Sequence, residues 1–174
     1  EVLDEKIFND RRPEMYLNLP TDPYLWNPLD FFGLYGLDPL PRGKESLISV
    51  VQMSSTNDVK KNLNKILSHL DSAKNRLSEL VVFPELSLTG HLNRNKSALR
   101  SDSAEILELA EYANKNDIYI CCGFAEKNKK EFYNSSVLVG PEGILGVYRK
   151  VHLNKTDKSW ATEGNEWKYF DTKI

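Results

Sequence analysis

Apolar residues in this 174-residue chain alternate between runs of strand length and runs of helical period, and that order predicts an α/β fold. Three observations carry the prediction. The run Leu80-Val81-Val82-Phe83 is continuously apolar and largely β-branched, as in a strand covered on both faces. Leu63, Ile66, Leu67, Leu70, Ala73 and Leu77 recur at helical spacing and define one buried face. Strand and helix signals alternate before a final run of strands, which implies parallel strands first and an antiparallel pair last.

The elements follow in order. Residues 1–45 hold six of the eight prolines, interleaved with aromatics in Pro23-Tyr24-Leu25-Trp26-Asn27-Pro28-Leu29-Asp30-Phe31-Phe32. Dense proline removes amide donors, while aromatics are scarce in solvated linkers. An extended arm lying on a partner surface, or else a linker, is therefore expected over 1–45, with the folded domain over 46–174. Residues 47–53 read as the first strand, and the polar stretch 54–58 supplies a helix cap. The helix carrying Leu63 to Leu77 comes next. Pro84 ends the second strand. A second helix is expected over 103–115, with Ile106, Leu109, Ala110 and Ala113 on one face. A third strand falls at 118–122 and two more at 134–139 and 144–148. Pro141-Glu142-Gly143 is turn chemistry and predicts a hairpin between the last two.

Composition narrows the function classes. There are 23 basic and 25 acidic residues, so no strongly basic surface suggests nucleic acid. No apolar run of spanning length suggests a membrane helix. The two cysteines, Cys121 and Cys122, are adjacent and have no Cys/His cluster beside them, so no metal site is expected. Such usage fits a reducing, cytoplasmic setting. No internal repeat and no phosphate-binding glycine loop occurs.

Two segments carry chemistry-bearing residues at strand ends. In Val82-Phe83-Pro84-Glu85-Leu86, an apolar strand delivers a carboxylate at its C-terminal end, the edge where open α/β sheets bind ligands. Loss of solvation there is expected to raise the pKa of Glu85 and make it a usable general base. In Val147-Tyr148-Arg149-Lys150-Val151-His152, an ammonium follows a strand in the same way. A lysine beside a carboxylate can stabilise a developing oxyanion. Taken singly, each segment reads equally as an ordinary surface charge.

Taken together they resemble the nitrilase superfamily of carbon–nitrogen hydrolases. Phe83-Pro84-Glu85 with Thr89-Gly90 resembles its glutamate motif, and Tyr148-Arg149-Lys150-Val151-His152-Leu153 its lysine motif. Gly123-Phe124-Ala125-Glu126 and Tyr133-Asn134-Ser135-Ser136 resemble its middle strands. The resemblance implies that 46–174 is the N-terminal half of a four-layer α-β-β-α sandwich. It also implies a Glu-Lys-Cys set in which Glu85 is the base, Lys150 the oxyanion partner, and a cysteine attacks an amide, N-carbamoyl or nitrile carbon. No cofactor is implied. The resemblance further implies a second carboxylate after the lysine, with Asp157 and Glu163 as candidates. His91, Asn134 and Trp160 are candidates for the substrate pocket. A homo-oligomer is expected as the working state.

The sequence departs from the family pattern in one respect. The nucleophilic cysteine belongs after the lysine, and no residue from 151 to 174 is a cysteine. The expectation is a chain truncated before its nucleophile and inactive alone, with apolar strand faces left uncovered and prone to association. Cys121 and Cys122 precede Lys150 within an apolar strand and read as structural. Asp10-Arg11-Arg12-Pro13-Glu14-Met15-Tyr16 resembles a stretch near the C-terminus of many such hydrolases, which would fit two hydrolase units in tandem. The competing readings are a non-catalytic module of the same fold that binds a partner, and an unrelated α/β binding protein. Convergence of Glu85 and Lys150 at one mouth of the sheet separates the latter from an enzyme.

Overall fold

A computed structural model describes residues 46–92 and 94–174. The arm expected at 1–45, with its Arg-Arg-Pro string, lies outside the described residues. Five strands form one sheet in sequence order: β1 (Ile48–Val50), β2 (Leu80–Val82), β3 (Tyr119–Asn128), β4 (Glu131–Gly140) and β5 (Gly143–Arg149). The β1–β2 and β2–β3 pairs are parallel, and β3–β4 and β4–β5 are antiparallel. Helix α1 (Val59–Lys74) joins the first parallel pair. The short α2 (Arg94–Ser97) and the longer α3 (Ala104–Asn116) lie between the second. The fold is α/β, as the order of signals predicts.

The core sits between the two long helices and one face of the sheet. Leu63, Ile66 and Leu70 of α1 and Ile106, Leu109 and Ala113 of α3 pack on Val81, Ile120, Cys122, Phe124, Val137 and Val139. The strand residues share a face because side chains alternate along a strand and Val81, Ile120 and Val139 lie in register. Asp58 starts α1 by accepting a hydrogen bond from the Lys61 amide at 3.0 Å. Asn62, fully buried, ties the helix to the loops beside it. Its amide donates to the carbonyls of Thr56 (2.7 Å) and Leu88 (3.0 Å), and its oxygen accepts from the Thr56 amide (2.8 Å).

Three expectations need correction. Helical spacing puts Leu77 on the buried face of α1, but the helix ends at Lys74 and Leu77 turns out to solvent at φ 62°, 81% exposed. Helical spacing alone does not see the chain reversal at Asn75. The third strand is ten residues long, and it joins β4 by a hairpin of its own. That turn places Lys129 at φ 55°, a conformation usually signalled by glycine or asparagine. The short helix α2 carries no apolar period and was not foreseen.

The other face of the sheet is less covered. Leu80, Val82, Cys121 and Leu138 are only partly buried there, and Val50 is 81% exposed. Towards β5 the C-terminal segment crosses this face, with Phe170 against Gly146 and Trp167 beside Tyr148 at 6.3 Å between ring centroids.

Candidate active site

The site is built where β2 and β5 end, beside Asn134 of β4, on the less covered face. β2 is prolonged by one residue, since the Phe83 amide donates to the Cys121 carbonyl at 2.9 Å. Pro84 has no amide to continue the ladder, and the chain coils tightly through residues 85–90. Leu86 sits at φ 53° within this coil. The coil is pinned back on β3: the Leu88 amide donates to the Gly123 carbonyl at 3.0 Å, and the Ala125 amide donates to Thr89 Oγ1 at 2.8 Å. Gly123 permits this contact. A β-carbon there would lie 2.6 Å from the Leu86 nitrogen, 2.7 Å from the Pro84 oxygen and 2.9 Å from the Glu85 Cα.

Lys150 arrives directly after β5. Its amide donates to the Asn134 carbonyl at 2.8 Å, and its own carbonyl accepts from the Gly164 amide at 2.9 Å. Its ammonium then lies between two carboxylates, donating to Glu85 Oε1 at 2.8 Å and to Asp157 Oδ2 at 2.7 Å. Asn134 bridges the same two acids, donating to Glu85 Oε1 at 2.7 Å and to Asp157 Oδ1 at 3.4 Å. Asp157 opens a 3-10 turn, Asp157–Ser159, and its side chain is 6% exposed; that of Glu85 is 50% exposed. One carboxylate is therefore a buried anchor and the other faces the opening.

The electrostatics follow from this sharing. Burial pushes the Glu85 carboxyl up, but hydrogen bonds from Lys150 and Asn134 and the Lys150 charge outweigh it, and its pKa ends below the ordinary 4.5. The expectation of a raised pKa took account of burial and not of the ammonium. Burial likewise opposes ionisation of Asp157, and Lys150 again reverses the effect. The buried Nε1 of Trp160 has no partner at full hydrogen-bonding geometry, yet its N–H contributes to lowering Asp157 after Lys150 does. Lys150 is pushed down by burial and more strongly up by Asp157 and Glu85, so its pKa lies above 10.5.

These shifts predict how stability varies with pH. Carboxylates with depressed pKa values contribute stability that is present above the unfolded values, 4.5 for Glu85 and 3.8 for Asp157, and is lost as pH falls through the folded ones. The raised pKa of Lys150 contributes stability present below 10.5 and lost as pH rises through its folded value. Urea unfolding across pH will show a plateau between about pH 5 and 10, with a fall on either side. In Lys150→Met the alkaline fall will shrink and the acid fall will weaken.

A second ion pair lies behind the site. Glu126, 3% exposed, receives two hydrogen bonds from Arg149, at 2.6 and 2.8 Å, and one from Ser135 Oγ at 2.8 Å. The guanidinium also stacks on Tyr133, 3.9 Å from the ring centroid. Residues 133, 135 and 149 flank Asn134 and Lys150 in sequence, so this cluster grips from the helix side the two strands that present the site.

The sequence candidates fall into two groups. Glu85, Lys150, Asp157 and Asn134 meet. Glu163 does not join them; it lies 3.8 Å from Lys158, and both are exposed. His91 is exposed after the coil, while Trp160 is half-buried and adjoins Asp157. Asn134, assigned to the substrate pocket from sequence, spends its amide on the two carboxylates. Glu126 was read only as part of a strand motif; its polar side chain on an apolar strand face was the available signal. Cys122 is buried with its thiol pushed up to about 12, and burial raises Cys121 too. Cys121 lies four residues before Ala125, the partner of Asn134, or roughly 13 Å along the strand. Among the described residues no cluster of three or more His, Cys, Asp or Glu could hold a metal ion, and no helix is long and apolar enough to cross a membrane.

Residues 47–174 match the family described as carbon-nitrogen hydrolase. The chain belongs to that family. Among its relatives are a nitrilase of Pyrococcus abyssi, 34% identical over 111 residues covering 60% of this chain and 42% of the relative, and an (R)-stereoselective amidase of a Pseudomonas species, 32% identical over 124 residues covering 69% and 45%. The carbon-nitrogen hydrolase chain spans about half the length of the curated relatives it matches. A solved nitrilase-superfamily structure from Saccharomyces cerevisiae superposes on 72% of this chain and 51% of its own, with a TM-score of 0.63 at 23% identity, a likeness of fold.

Proposed function

We propose that the protein hydrolyses a non-peptide carbon–nitrogen bond of a small amide, N-carbamoyl compound or nitrile through a thioester. The observation that carries this reading is the Lys150 ammonium held at 2.7–2.8 Å between a buried and a half-exposed carboxylate. In an amide substrate, a cysteine thiol attacks the carbonyl carbon while Glu85 takes its proton. Glu85 is a weak base, so the step draws on the same ammonium, which stabilises the thiolate as the proton leaves. Lys150 then donates to the tetrahedral oxyanion, and Asp157 and Asn134 hold the ammonium and Glu85 in place. Collapse expels ammonia or an amine, protonated by Glu85-H, and leaves a thioester. Water, losing its proton to Glu85, hydrolyses it to the acid and frees the thiol.

This reading requires a cysteine thiol that neither Cys121 nor Cys122 supplies, and residues 1–174 alone are expected to be inactive. Relatives bearing the names nitrilase, (R)-stereoselective amidase and protein N-terminal amidase support the bond class. Self-association of the intact protein belongs to the same proposal. The test is ammonia release from a panel of amides, N-carbamoyl compounds and nitriles by the full-length protein and by residues 1–174, with mass spectrometry of the quenched enzyme. Release together with an acyl adduct on cysteine, in the full-length protein only, is expected. Full-length protein that yields neither is a binding module of the same fold.

A further inference from the structure

Arg94 stands beside the site with no counter-ion among the described residues. It is half-buried at the start of α2, its Cζ 5.4 Å from the centroid of the Trp160 ring. Its Nε is buried and has no hydrogen-bond partner among the described residues. Two other arginines are paired: Arg149 with Glu126 and Arg100 with Asp102. Among the described residues no carboxylate pairs with Arg94.

Trp160 connects this guanidinium to the chemistry. Its amide donates to the Asp157 carbonyl at 3.0 Å, closing the 3-10 turn that presents the Asp157 side chain to Lys150. Arg94 therefore flanks the residue that anchors Lys150. A guanidinium laid on an indole loses freedom and solvation but keeps its planar fork of donors. A desolvated N–H with no acceptor is costly, and a charge-assisted bond to an anion relieves that cost. The carboxylates of the site do not relieve it, being held by Lys150.

We propose that Arg94 is a carboxylate-binding subsite, and that the substrate is an amide, N-carbamoyl compound or nitrile carrying a carboxylate at the end away from the scissile bond. Trp160 is the platform that fixes the guanidinium. The proposal rests on the hydrolytic reading and specifies its substrate class.

The experiment uses the full-length protein and ω-carboxy amides with two to four methylenes, each matched to the methyl-terminated amide of the same length. For the best-fitting length, kcat/KM is expected to favour the carboxylate roughly ten- to hundredfold, mainly through KM. Arg94→Gln should bring that ratio close to one, and Arg94→Lys should retain part of it. A second readout does not need turnover: succinate titrated into ¹⁵N-labelled protein should shift the Trp160 indole resonance in the wild type and not in Arg94→Gln. Turnover without carboxylate preference, or a preference unchanged in Arg94→Gln, overturns the subsite. Absence of all turnover overturns the hydrolytic reading instead, and the succinate shift then decides the subsite: its dependence on Arg94 supports it and its absence refutes it.

Discussion

Replacing Lys150 by methionine will remove the proposed hydrolytic activity from the full-length protein and destabilise the fold at the same time. Methionine matches the length of the stem and removes only the charge and its donors. The catalytic loss should be at least about 10²–10³-fold in kcat, the usual effect of deleting one oxyanion donor. It should be larger here, because the same ammonium keeps Glu85 ionised. The stability loss has a different origin. Asp157 is 6% exposed, and without Lys150 it becomes a buried carboxylate beside a second acid, with only the Asn134 amide and the Trp160 indole to offset it. Breaking a fully buried pair costs about 3–5 kcal/mol, and since Lys150 is itself 31% exposed the expected loss is about 2 kcal/mol. The two effects separate in the double variant Lys150→Met/Asp157→Asn. Urea unfolding should show part of the stability restored, while ammonia release stays at background. Activity in Lys150→Met within tenfold of wild type would remove Lys150 from the chemistry.

How far the sequence anticipates this arrangement depends on where each residue sits. Glu85 and Lys150 are legible because each directly follows an apolar strand, and parallel and antiparallel pairing brings such ends to one edge. Asp157 could not be told from Glu163, since both lie in a segment without strand or helix period, and the 3-10 turn that aims Asp157 at Lys150 leaves no periodic trace. Asn134 lies mid-strand, where alternation gives its face but not its partners; Glu85, which receives its amide, is 49 residues away in sequence. The depressed pKa of Glu85 was illegible for the same reason, because burial is local and the opposing charge comes from another strand. Within the sheet, the β4–β5 hairpin is announced by Pro141-Glu142-Gly143. The β3–β4 hairpin turns at Lys129, whose left-handed backbone the residue type does not advertise.

Gly123→Ala will damage the site through a single added methyl, although residue 123 touches no substrate in the proposed reaction. Added β-carbons are tolerated where a flexible side-chain tip can move aside. Here the neighbours at 2.6, 2.7 and 2.9 Å are backbone atoms of Leu86, Pro84 and Glu85. They cannot yield one by one. Leu86 already occupies a left-handed conformation that a non-glycine residue adopts at some cost, and the chain is bonded to β3 before the contact at Phe83 and after it at residues 88 and 89. The coil must therefore lift as a unit, carrying the Glu85 carboxylate away from Lys150. A displacement near 1 Å at a reacting group costs on the order of 10²-fold in rate. Overpacking and weakened Leu88–Gly123 and Thr89–Ala125 bonds should add about 1–3 kcal/mol of destabilisation. Activity and urea unfolding of Gly123→Ala measure the two losses. With Glu85 withdrawn from the ammonium, its carboxyl pKa should also rise in the variant, visible by ¹³C-detected titration. Wild-type activity with an unshifted Glu85 titration would show that β3 gives way instead of the coil, and that the glutamate is held by its ion pair more firmly than by its backbone.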